Sequence, residues 1–125
     1  MLDDYVRFET AKLLKEKGFG WVCFQYWHEG DNELVHSQSM HPIQNISNPC
    51  FFGPAAPTLQ MAMKWLREVH NIFIEISVDE MLKDNGYQWA LYYNSIKEIM
   101  PYANWEKSYE EACEAAIKYC LENLI

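Results

Sequence analysis

The chain has 125 residues, half of them apolar, 15% aromatic and 22% charged. That composition belongs to a folded domain and excludes a disordered tail. Ten Lys plus Arg against eighteen Asp plus Glu give a net charge of −8, which repels phosphate backbones and disfavours nucleic acid as a partner.

The first predicted element is a helix over Asp3 to Lys17. Asp3 or Asp4 suits its N-terminal end, and Val6, Thr10, Leu13 and Leu14 supply apolar positions at helical spacing. Gly18 ends it, with Phe19 placed for the hydrophobic contact of a glycine C-cap. Gly20 to Trp27 is rich in aromatic and β-branched residues and reads as a strand. His28 to Asn32 is a turn, and Glu33 to Gln38 a short second strand, so the pair forms a hairpin.

Ser39 to Pro57 carries four of the five prolines and no Asp, Glu, Lys or Arg. Regular structure is not expected there. A loop of that length is either functional or a Pro-stiffened connection packed by Ile43, Ile46, Phe51 and Phe52. Asn45-Ile46-Ser47 matches a glycosylation sequon, which carries no meaning without secretion.

Thr58 opens the second helix. Leu59, Ala62, Met63, Leu66 and Val69 form its apolar stripe. Trp65 lies off that stripe and is expected to be partly exposed or covered by another segment. The helix ends near His70-Asn71. Ile72 to Val78 then alternates, with the isoleucines and Val78 on one face and Phe73, Glu75 and Ser77 on the other. Asn85-Gly86 is a turn dipeptide. Tyr87 to Ile96 is the antiparallel partner strand, and Pro101 to Lys107 is a loop holding Tyr102 and Trp105. The last helix starts at a capping box, Ser108-Tyr109-Glu110-Glu111. It buries Ala112, Cys113, Ala116, Ile117, Cys120, Leu121 and Leu124.

The expected fold is therefore one α+β domain over residues 1–125, a two-layer sandwich of order α-β-β-α-β-β-α. Its antiparallel four-stranded sheet carries the helices mainly on one face. The other face would present Phe73, Tyr92 and alternate members of the Trp21–Trp27 strand.

No apolar run approaches the about 20 residues of a bilayer crossing, and no apolar stretch follows Met1 as in a signal peptide. A cytoplasmic location is expected. The four cysteines, Cys23, Cys50, Cys113 and Cys120, form no C-x-x-C. Cys113 and Cys120 are two helical turns apart, ~10 Å, too far to bridge. All four read as reduced thiols, mostly buried.

Three stretches carry a resemblance: Phe8 to Phe19, Ala56 to Glu68, and Ser108-Tyr109-Glu110-Glu111-Ala112. Together they resemble a family of small uncharacterised proteins of Bacteroides and related gut bacteria, their mobile elements and phages. The resemblance spans the chain and is weakest over the first hairpin and the long loop. It implies a cytoplasmic protein with a host-interaction or regulatory role. It brings no assigned activity and no functional residues.

Candidate chemistry is sparse. His28, His36, His41 and Cys50 are the one set that suits zinc in residue type, with the hairpin expected to bring His28 and His36 together. Their spacing matches no standard zinc pattern, so no metal and no cofactor is expected. Cys50 with His41 is the one thiol-and-base pair on a loop, and it lacks any Cys–His signature. No G-x-S-x-G and no phosphate-binding glycine loop occurs. From Gly18 to Met63 there is no Lys or Arg, so that stretch forms no phosphate groove.

Five Trp and eight Tyr are more than one buried sheet face holds. Such side chains are enriched at interface hot spots. The expected function is non-catalytic: a protein-binding or regulatory module using the aromatic sheet face and the 39–57 loop. Its surface residues are Phe73, Glu75, Tyr92, Trp65, Tyr102 and Trp105. The partner is another protein or a second copy of the chain. The competing expectation is a small enzyme or ligand-binding protein with a reactive loop at His41 and Cys50.

Overall fold

The backbone of Gly18 lies at φ +92°, and the chain around it closes the first helix as a Schellman motif. Phe19 N–H donates to Leu14 O at 2.9 Å and Gly18 N–H to Lys15 O at 3.2 Å. Phe19 is fully buried beneath that cap. The computed structural model that shows this describes residues 2–37, 42–45, 53–79, 86–93, 97–99 and 105–125. The chain divides into two units, Met1–Gln60 and Met61–Ile125.

The first unit begins with a 3-10 turn, Leu2–Asp4, and helix α1, Phe8–Glu16. The helix starts five residues later than Asp3, and its N-cap Arg7 makes no side-chain cap. Tertiary pairing overrides the local signal here. Val6 N–H donates to Pro57 O at 3.1 Å, Val6 O accepts from Trp27 Nε1 at 2.8 Å, and Tyr5 bridges Thr58. A backbone committed to those partners is not available to a helical turn.

Strands β1 (Gln25–His28) and β2 (Glu33–His36) form an antiparallel ladder from Gln25–His36 to His28–Glu33. Gly30 and Asn32 take positive φ in the turn between them. The expected Gly20–Trp27 strand is shorter than its composition suggests. Upstream of Gln25, Cys23 bridges Ile43, and the two exchange hydrogen bonds of 2.9 and 2.8 Å.

The late part of the proline-rich segment is paired as well. Trp27 N–H donates to Pro54 O at 3.0 Å, and Ala56 N–H to Gln25 O at 2.9 Å. Residues 54–56 thus run along the second edge of β1. Gly53 sits directly against the Trp27 carbonyl, and any Cβ there would overlap that oxygen.

Helix α2 (Leu59–His70) leads into the second unit, and Asn71 at φ 57° turns the chain out of it. Leu59, Ala62, Met63 and Leu66 are buried as expected. Trp65 corrects the expectation of exposure: it is 3% exposed, and its ring meets that of His70 edge-on at 4.7 Å. The buried arc of the helix extends round to Trp65, whereas Val69 in the last turn is 53% exposed.

Strands β3 (Ile72–Asp79) and β4 (Gly86–Tyr93) pair residue for residue, from Ile72–Tyr93 to Asp79–Gly86. The other edge of β4 takes β5 (Lys97–Ile99) at Leu91–Tyr93 and β6 (Trp105–Glu106) at Tyr87–Gln88. Strand β6 lies within the expected loop. Helix α3 (Tyr109–Asn123) packs on β3, β4 and β6. Ser108 caps it as expected: its Oγ accepts from Glu111 N–H at 3.1 Å.

The class is α+β with antiparallel strands in the order roughly expected. The single four-stranded sheet is not formed. Instead β1-β2 is one sheet and β3-β4-β5, with β6 on β4, is another. Residues 54–56 run along the second side of β1, and β5 with β6 takes the second side of β4.

Candidate binding surface

Alternation along β3 divides its side chains between two environments. Ile72 and Leu91 are fully buried, and Trp89 of β4 on the same face is buried. This is the side that α3 covers. Trp89 meets Tyr119 of α3 at 5.5 Å between ring centroids, and Tyr87 meets Tyr109 at 6.3 Å.

The opposite face carries three rows set by the register. Phe73 stands beside Tyr92. Glu75 stands beside Ala90. Ser77 stands beside Gln88, which is beside Trp105. Phe73 is 41% and Trp105 47% exposed, while the small Ala90 between the rows is nearly covered. Two aromatic corners therefore flank a shallow centre. From the Phe73 row to the Trp105 row is roughly 14 Å, and from β3 to β6 roughly 10 Å.

Glu75 is exposed, and its carboxylate does not float free. The Tyr92 hydroxyl donates to Glu75 Oε2 at 3.0 Å, diagonally across the strand pair. The face offers a fixed acceptor bearing negative charge, set among apolar rings. That suits an apolar segment carrying a cation.

Of the residues singled out from sequence, Phe73, Glu75, Tyr92 and Trp105 share this face. Trp65 does not belong to it, since it is buried on α2. Tyr102, His41 and Cys50 lie outside the described residues. Ser77, Gln88 and Ala90 complete the face, and the strand alternation that placed Glu75 places them too. The expected members from Trp21–Trp27 are not strands of this sheet: Gln25–Trp27 lie in β1, which pairs with β2. There Trp27 is tied to Val6 O and stands edge-on to Phe8 at 6.5 Å.

Other candidates lose their geometry. His28 and His36 stand at opposite ends of the β1–β2 ladder, about 10 Å apart along it, so the hairpin does not bring them together. His28 Nδ1 instead lies 3.0 Å from Asp31 Oδ1. Among the described residues no three His, Cys, Asp or Glu side chains are grouped to hold a metal. Cys23, Cys113 and Cys120 are buried, and burial pushes their thiols up to about 12, 11 and 12. Such thiols are poor nucleophiles at neutral pH.

The described parts of the 39–57 segment hold structure together. Asn45 Nδ2 donates to Phe19 O at 2.9 Å while its Oδ1 accepts from Ala55 N–H at 3.0 Å. Gln44 donates to Gly20 O at 3.1 Å, and Ile43 is buried. A groove of about 390 Å³ in the first unit is lined by Lys12, Lys15, Glu16, Glu29 and Pro54. Two lysines and two glutamates give it no net charge, so it selects neither anions nor cations.

No helix among the described residues is long and apolar enough to cross a membrane. No family model matches the chain, and no curated protein or solved structure matches it.

Proposed function

We propose that this protein is a non-catalytic protein-binding or regulatory module whose partner docks on the open face of β3, β4 and β6. One observation carries the reading. Phe73 and Trp105 stand 41% and 47% exposed on the sheet face opposite the one that α3 packs on. Large aromatic side chains on a rigid sheet supply contact area at little entropic cost, which is the usual make-up of an interface hot spot. The family resemblance adds the expectation of a regulatory or host-interaction role.

The test compares capture by the wild-type chain and by a Phe73→Ser/Trp105→Ser double variant, at low and high salt, with circular dichroism confirming that both are folded. The reading predicts a protein held by the wild type and lost by the variant. Retention at high salt would mark an apolar contact, and loss would mark a charge-driven one. Identical captured sets would contradict the reading.

A further inference from the structure

Strand β3 is paired along its whole length with β4, and among the described residues no strand pairs on its other side. We propose that this free edge takes an extended, basic segment of a partner protein as an added strand. The inference rests on the reading of this sheet as a partner-binding surface, and it names how the partner is held.

Four observations carry it. First, alternate residues of the eight in β3 turn their backbone N–H and C=O groups away from β4, which is a template for one more strand. Second, among the described residues the edge lacks a proline, a lysine and a bulge, three of the usual protections. Its sequence, Ile72-Phe73-Ile74-Glu75-Ile76-Ser77-Val78-Asp79, holds no Pro, Gly or Lys, and its unbroken register with β4 leaves no bulge. Phe73 and Val78 remain 41% and 59% exposed.

Third, size argues for a segment rather than a folded domain. A face of roughly 14 by 10 Å falls well short of the ~800 Å² per partner of a standard interface. An added strand supplies the remainder through main-chain hydrogen bonds. Fourth, charge selects the segment. Strand β3 carries Glu75 and Asp79 and no Lys or Arg, on a chain of net charge −8. A second copy would set an equally acidic strand beside this one, and like charges across a strand pair destabilise it. Lys or Arg opposite Glu75 would pair with a carboxylate that Tyr92 already holds in place.

The probes are peptides as long as β3 in which Val and Lys alternate, tested for binding to the full chain by fluorescence anisotropy. One control replaces Lys by Glu. Two others carry N-methyl groups on the Val amides alone or on the Lys amides alone. Only one set of alternate amides of an added strand faces β3, so one methylation pattern should abolish binding and the other should spare it. The Val/Glu peptide should bind at least about ten-fold more weakly, and Glu75→Gln should narrow that gap.

Equal binding by both methylated peptides would overturn strand addition while leaving a docking face intact. Equal binding by the Val/Glu peptide would overturn the basic character of the partner. Absence of all peptide binding, or a peptide displaced by self-association of the chain in sedimentation, would overturn the proposal. Failure of the wider reading has a different signature, the unchanged capture by the Phe73→Ser/Trp105→Ser variant.

Discussion

The Tyr92 hydroxyl reaches across the β3–β4 pair to donate a 3.0 Å hydrogen bond to Glu75 Oε2, although the register partner of Glu75 is Ala90. The bond lies in the open, where water competes for both groups. Tyr92→Phe should therefore cost at most about 1 kcal/mol in urea denaturation. Its larger effect should be on binding, because the carboxylate loses its fixed orientation. An unfolded Tyr92→Phe chain would show that the pair is structural instead.

Trp65 and Trp105 should behave as opposites. Trp65 is buried on α2 against His70, so Trp65→Ala should cost about 3–5 kcal/mol. Trp105 is 47% exposed, and Trp105→Ala should cost about 1 kcal/mol or less while weakening partner capture. Denaturant midpoints of the two variants at one pH check the contrast.

Gly53 is required by contact, not by a special backbone angle. A methyl group at that position would overlap the Trp27 carbonyl, in the stretch where Trp27 N–H bonds Pro54 O. Gly53→Ala should destabilise the chain by about 1–3 kcal/mol or more, since the close approach must open. Hydrogen exchange should show the loss at the Trp27 and Ala56 amides first.

His70 makes stability depend on pH. Its Nε2 is buried with no hydrogen-bond partner among the described residues, and burial lowers its pKa below 6.5. The unfolded chain then binds more protons than the folded one between the lowered value and 6.5. This contribution is complete above 6.5 and is lost progressively as pH falls through that window. His70→Phe keeps a ring beside Trp65 and removes the titration. The thermal midpoint of the variant should fall less than that of the wild type on acidification below 6.5.

What the sequence revealed divides along physical lines. The Gly18 cap, the Ser108 cap and the alternation of β3 are set by neighbours within a few residues, so they were legible. Those local signals also place Phe73, Glu75 and Tyr92 on one face. The late start of α1 was not legible, because Pro57 and Trp27 claim the Val6 backbone from fifty-one and twenty-one positions away. The pairing of residues 54–56 with β1 likewise joins positions far apart in the chain. Trp65 was misplaced because a narrow stripe was assumed where the buried arc is wide. The excess of aromatic residues points to Trp105 as exposed, and the β6 pairing with Gln88 gives its position on the face.

The most direct test of the central claim is site-specific photo-cross-linking. A benzoylphenylalanine would replace Phe73 or Trp105 on the open face, with Arg67 on the exposed side of α2 as control. The account predicts one shared partner cross-linked from positions 73 and 105 and absent from position 67. The same products from all three positions, or none from 73 and 105, would contradict it.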